Sequence, residues 1–256
     1  MKTVWISALA QHQPRVAAIT AQLKRYGLQS RGHFWQDAAD KVGWRPAFSA
    51  LQEARADLWL ILADADELAK PGVRYGLSLM AAALRQARGA AFPVVVLWNT
   101  APTPLPLLLQ NALSLEESTP SWQAKIVARA NVPPKAAPAD YRLDVHGDER
   151  LGQWFEIGPR EGGWDGVVFG ITGADAEIDF QATGPAGSLP EKTVLEFAQQ
   201  GLQLQVADAE FRAWAVRNRI DAGTSYYARV KGCPDAILFM PYADDSESEA
   251  TVLSLK

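Results

Sequence analysis

Leu58-Trp59-Leu60-Ile61-Leu62-Ala63 is apolar at every position, and Val4-Trp5-Ile6-Ser7-Ala8-Leu9 and Pro93-Val94-Val95-Val96-Leu97-Trp98 nearly match it. A strand with one face in water alternates apolar and polar residues. Six-residue runs without that alternation read as strands covered on both faces, as in a parallel sheet between helical layers. The segments between them support this. After Gln13-Pro14, Val16, Ile19, Leu23 and Tyr26 recur at helical spacing, and Gly27 ends the helix. Gln29–Trp35 reads as a shorter second strand, Gln36–Trp44 as a polar loop, and Pro46 to Ala56 as a helix with Phe48 and Leu51 inward. Pro71-Gly72 breaks the chain before a stripe of Val73, Leu77, Met80 and Leu84, closed by Gly89. Strands alternating with helices imply right-handed crossovers and a doubly wound sheet, whose functional edge lies beyond the carboxyl ends of its strands.

Thr100–Pro106 is proline-rich, Leu105–Leu115 is apolar enough to pack back onto the domain, and Thr119-Pro120 opens a helix running to Ala130. Val132-Pro133-Pro134-Lys135-Ala136-Ala137-Pro138 is a semi-rigid linker by its proline content. Beyond it the texture changes to short strand-like runs punctuated by glycine: Tyr141–Val145, Gln153–Ile157, Val167–Ile171, Glu177–Ala182, Phe211–Val216, Tyr226–Val230 and Ile237–Met240. Such spacing suggests an antiparallel sandwich or barrel. Leu189–Gln205 reads as a helix or, by the alternation of Leu202 and Leu204, a hairpin turning at Gln199-Gln200-Gly201. The tail, Ala243–Ala250, is acidic, and Val252 and Leu253 suit an edge strand. The predicted fold class is therefore α/β + β: a doubly wound parallel sheet in residues 1–131, a linker over about 132–139, and a mainly antiparallel β domain in 140–256.

Composition excludes several classes. With 48% hydrophobic residues in 256, the chain has ample core. A net charge of −4 argues against a nucleic-acid-binding protein, and a single cysteine, Cys233, excludes an internal disulfide framework. No apolar stretch approaches a membrane span and Met1-Lys2-Thr3 runs straight into a strand, so a cytoplasmic protein is expected.

Read in this order, residues 1 to about 130 resemble a TIR-like domain, the Toll/interleukin-1-receptor type of flavodoxin-like fold. The resemblance rests on Val4-Trp5-Ile6-Ser7, on the first helix ending in Gly27-Leu28, and on Phe34-Trp35-Gln36-Asp37 followed by Trp44. Leu51–Ala63 and Phe92-Pro93-Val94-Val95-Val96-Leu97 complete it. It implies a role in signalling or assembly, with the Gln36–Trp44 loop and the helix after it as recognition surface. Enzymatic members cleave NAD with a glutamate on the helix after the third strand. That position falls near Tyr75 or Gly76 here, where there is no carboxylate, and Glu67 lies earlier, in a predicted loop.

The sheet-edge argument stands apart from the resemblance. Ser7, Trp35, Asp37, Asp64, Asp66 and Asn99 all follow or end strands and would gather at the carboxyl edge, where a tryptophan can stack on a ring and aspartates can accept from ribose hydroxyls. They are the candidate cofactor-binding residues for NAD or another nucleotide, set against the plainer reading that loops are polar because they are solvated. Asp64-Ala65-Asp66-Glu67 suits a magnesium ion less well than a helix cap. His12, His33 and His146 are too scattered for a zinc site, and no nucleophile elbow or phosphate loop is present. Arg212, Arg217, Arg219, Arg229 and Lys231 read as a possible basic stripe, and the nine tryptophans mostly as packing. The leading expectation is a non-catalytic protein with no cofactor and a protein partner: a TIR-like module joined to a β recognition domain. The alternative is an NAD- or nucleotide-binding enzyme or sensor.

Overall fold

The computed structural model describes residues 1–38, 42–148, 150–243 and 249–256. The chain divides into two units, one of Met1–Ala38 and Gly43–Ala137, the other containing Pro138–Lys256, with the break inside the expected linker.

The first unit runs β1 (Lys2–Ala8), α1 (Gln13–Arg25), β2 (Leu28–Phe34), α2 (Trp44–Glu53), β3 (Leu58–Ala63), α3 (Ala65–Leu68), α4 (Pro71–Arg88), β4 (Val94–Trp98), a 3-10 turn at Leu107–Leu109, β5 (Leu113–Glu116) and α5 (Trp122–Asn131). All five strands are parallel, in the order β2-β1-β3-β4-β5. The fifth strand was not expected. It lies inside the apolar Leu105–Leu115 stretch and pairs Leu113 to Glu116 with Val95 to Trp98.

β3 is buried at all six positions. Its Leu58, Leu60 and Leu62 point into one core layer with Val4, Ile6 and Val95, under Ile19 and Leu23 of α1 and Trp122, Ile126 and Ala130 of α5. By strand alternation, Trp59, Ile61 and Ala63 face the other way and are equally buried. On that side α2 and α4 lie against each other. α4 departs from the single stripe expected of it: every residue from Tyr75 to Leu84 is buried. Short side chains such as Gly76, Ala81, Ala82 and Ala83 let neighbours approach it from all sides.

The second unit is a β-sandwich. Its strands are β6 (Tyr141–Asp148), β7 (Gly152–Pro159), β8 (Gly163–Trp164), β9 (Val167–Thr172), β10 (Glu177–Pro185), β11 (Gln199–Val206), β12 (Ala209–Val216), β13 (Ile220–Asp221), β14 (Thr224–Lys231), β15 (Ala236–Pro241) and β16 (Thr251–Ser254). One antiparallel sheet has the order β10-β14-β7-β6, the other β11-β12-β9-β15-β16, and β13 pairs with β8. Contacts of Phe155 with Phe169 and of Phe169 with Tyr226 join the two inner faces. Residues 199–206 form one strand rather than the expected hairpin turn: Gly201, at φ +71°, sits in a register shift between Gln199 and Leu202. The turn comes instead between β11 and β12. Residues 244–248 of the acidic tail lie outside the described residues, and Val252 and Leu253 do form an edge strand.

Replacing Leu60 by Ala removes a fully buried side chain from the centre of the parallel sheet. A loss of about 3 kcal/mol is expected in urea unfolding, with the helical circular dichroism of the native state unchanged.

Candidate functional site

At the carboxyl edge of the parallel sheet, the register places Ser7 beside His33. Ser7 is fully buried, and its Oγ lies 2.8 Å from His33 Nε2 while accepting a hydrogen bond from Trp59 Nε1–H at 2.9 Å. The hydroxyl proton is assigned to Nε2, which puts the ring proton of a neutral imidazole on Nδ1. Trp5 stacks on His33 at 5.7 Å between ring centroids, and Trp35 flanks it at 5.8 Å. Burial in this setting lowers the His33 pKa to about 4. A serine hydrogen-bonded to a neutral histidine has the look of a nucleophile and its base. With Ser7 at 0% exposure, an electrophile has no approach to it.

The rest of the edge is occupied by the chain itself. Trp35, 6% exposed, lies on Gly76 of α4, where a Cβ would come within 2.8 Å of its Cζ2. Gly76 is one of the two positions where the TIR-like resemblance placed the glutamate of NAD-cleaving members, and the other, Tyr75, is fully buried. The Asp37 carboxylate lies against Gly72 in the first turn of α4. Arg15 of α1 reaches over the ends of β3 and β4: Nη2 donates to Ala63 O and Leu97 O at 3.1 and 3.2 Å, and Nε pairs with Glu117 at 2.7 Å. Arg15 was not among the expected residues, since nothing local distinguishes it from any other arginine on a first helical turn.

Asp64 caps α3 by accepting from the N–H groups of Asp66 and Glu67, and it accepts from Asn99 Nδ2 at 3.1 Å. The Asn99 hydrogen bond leads in holding its carboxyl below the usual range, against a lesser opposing effect of burial and with help from the two N–H groups and the Arg15 charge. Asp66 is exposed in the same short helix. Glu67, expected in a loop, is in that helix and its carboxylate is bonded to Lys70 Nζ. The structure thus groups Ser7 with Trp35 about His33, and Asp64 with Asn99. Residues 39–41 of the Gln36–Trp44 loop lie outside the described residues.

In the second unit the basic run does not form a stripe. Arg212 donates to Gly173 O and Ala176 O, Arg217 lies over the Tyr242 ring, Arg219 pairs with Asp165, and Arg229 and Lys231 both pair with Asp179. Cys233 is half-buried between β14 and β15 and is in no disulfide.

A polar group on the outer face of the four-stranded sheet was missed. Asp144 of β6 lies opposite Glu156 of β7, which lies opposite Tyr227 of β14, and His146 is two residues along β6. Glu156 is 2% exposed. Its Oε2 is 2.5 Å from His146 Nε2, and its Oε1 accepts from Ser225 Oγ at 2.7 Å and Gly187 N–H at 2.8 Å. Burial pushes this carboxyl up, but the hydrogen bonds from His146, Gly187 and Ser225, with the His146 charge, outweigh it and hold the carboxyl below the ordinary glutamate value. Burial foremost, and then the Glu156 charge, raises the Tyr227 phenol. Among the described residues Asp144, His146 and Glu156 form a set able to hold a metal ion. The hint in the sequence was Asp-Val-His at 144–146, polar on one face and apolar on the other, at the end of the predicted strand Tyr141–Val145.

Comparison of the sequence with protein-family models and with curated proteins gives no match to either.

Two measurements check this geometry. Glycine to alanine inside a helix normally stabilises by about 1 kcal/mol, but Gly76→Ala should lower the melting temperature, because the new methyl meets Trp35. The lowered His33 pKa means that the unfolded chain binds a proton the native chain refuses between about pH 4 and 6.5. Its contribution to stability is therefore fully present above the unfolded pKa and is lost as pH falls through that window. His33→Gln should flatten the stability profile there, as read from denaturant midpoints at half-unit pH steps.

Proposed function

We propose that this chain is a non-catalytic recognition or assembly protein, in which a TIR-like module of flavodoxin type is joined to a β-sandwich that binds a second partner. The strand order β2-β1-β3-β4-β5 is that of flavodoxin-type doubly wound sheets, which bind ligands at the carboxyl edge where the crossover direction reverses, between β1 and β3. The observation that carries the reading is the filling of that edge by the chain's own groups: Ser7 and His33 at β1 and β2, Trp35 over Gly76, and Arg15 on the Ala63 and Leu97 carbonyls of β3 and β4. A nucleotide bound there would have to displace a buried tryptophan and a paired arginine. The partner surface on this reading is the Gln36–Trp44 loop with α2. The apolar side chains of α2, Trp44, Phe48 and Leu51, are committed to the core, so it offers a partner Pro46 and Glu53, both exposed.

The test is direct. NAD, ATP and cyclic dinucleotides at millimolar concentration should leave the melting temperature of the full chain unchanged. A ligand at a hundred times its Kd would stabilise by about 2.7 kcal/mol, a readily visible shift. Sedimentation velocity over a hundredfold range of concentration should show self-association that Glu53→Arg weakens. A nucleotide-dependent rise in melting temperature, abolished by Trp35→Ala, would establish the nucleotide-binding alternative instead.

A further inference from the structure

We infer that the outer face of the β-sandwich holds a site for a divalent transition-metal ion, with Asp144, His146 and Glu156 as its protein ligands. The three candidate donor atoms lie within 4.8 Å of one another. They come together because β6 and β7 pair with Asp144 opposite Glu156, and a two-residue step along β6 brings His146 to the same face.

Both carboxylates are held by their other oxygen. Glu156 Oε1 is bound by Ser225 Oγ and Gly187 N–H, which turns Oε2 toward His146 Nε2. Asp144 Oδ1 accepts from Val145 N–H at 2.7 Å, while Oδ2 lies 3.9 Å from His146 Nε2. Ser225 is in turn held by Arg142 Nη2 at 3.0 Å, whose charge partly offsets that of the buried glutamate. Outer partners of this kind orient metal ligands and tune their basicity. A plain surface ion pair has no need of them. Glu156 forms a buried floor, and the His146 and Asp144 side chains, 16% and 23% exposed, leave the outer side open to an incoming ion.

The fit requires little movement. Metal–ligand bonds of 2.0–2.2 Å in tetrahedral geometry put neighbouring donors about 3.3 Å apart. The His146–Glu156 pair, now at 2.5 Å, opens by about 0.8 Å, and the His146–Asp144 pair, now at 3.9 Å, closes by about 0.6 Å. The ion takes the place of the hydrogen bond between His146 Nε2 and Glu156 Oε2. One imidazole nitrogen with two carboxylate oxygens suits zinc or manganese. Calcium and magnesium prefer oxygen throughout, and the set offers no thiolate for a softer ion. Three protein ligands leave at least one position for water or another ligand. The site belongs wholly to the second unit and does not depend on the role proposed for the first.

The experiment is calorimetric titration of the metal-stripped full chain with zinc and, separately, manganese, calcium and magnesium. One equivalent of zinc or manganese should bind and raise the melting temperature. Binding should be lost in His146→Ala, weakened about tenfold in Ser225→Ala, and unchanged in His12→Ala, which removes a histidine of the other unit. The circular dichroism of each apo variant shows whether it is folded. Asp144→Asn, at the open rim, should weaken binding if the buried substitutions unfold the sandwich. Absence of saturable binding by either transition ion overturns the inference. So does binding that His146→Ala and Asp144→Asn leave intact.

Discussion

The buried indole N–H of Trp59 finds its acceptor on the neighbouring strand, and that hydrogen bond organises the first unit. β3 lies inside the sheet with no polar side chain of its own, yet Trp59 brings a donor into the interior. An unpaired buried donor costs about 1–3 kcal/mol. The nearest strand answers with Ser7, the single polar residue of its apolar run. Ser7 then presents a hydroxyl proton, and His33, in register on the next strand, accepts it. To accept, the imidazole must be neutral, and burial against Trp5 and Trp35 keeps it so. Trp35 needs room, and Gly76 gives it. A chain of local needs thus runs from the middle of the sheet to its carboxyl edge. Its result is an edge occupied by the protein's own side chains at the place where related architectures receive ligands.

The β-sandwich shows the opposite economy. Its inner faces bring Phe155, Phe169 and Tyr226 into contact, with the Tyr226 hydroxyl donating to Gln181 Oε1, and a second polar group lies on the outer face of the four-stranded sheet. Burying a glutamate there is costly unless every oxygen has a partner. Glu156 meets the condition with Ser225, Gly187 and His146, at the expense of three donors converging on one carboxylate. A structure that spends this much order on one charge differs from the paired surface cations nearby, such as Arg219 with Asp165, which are exposed and add little to stability.

Much of the fold was legible because burial on both faces leaves a signature in consecutive residues. The three apolar runs gave β1, β3 and β4, and the glycine-punctuated runs of the second half gave seven of its strands. β5 escaped because it is four residues long and lies within a longer apolar stretch, so nothing local separates it from the preceding turn. β11 escaped because the bulge at Gly201 looks like a turn in one dimension. The sites were less legible, for a reason of register. Ser7 was singled out, but its partner His33 stands 26 residues away and becomes a neighbour only when two strands pair in parallel. Asp144 and His146 sit two apart, yet Glu156 joins them only once the hairpin register is known. Counting histidines along the chain cannot find such a group, because it forms only across the pairing of β6 with β7.

The hydrogen bond between Trp59 and Ser7 is the interaction on which the closed edge rests, and a double-mutant cycle measures it. Ser7→Ala, Trp59→Phe and the double variant would be compared with the native chain by urea unfolding. The account predicts a coupling of about 1 kcal/mol or more, with Ser7→Ala far less damaging once the indole N–H is gone. Additive losses, with no coupling between the two positions, would contradict it.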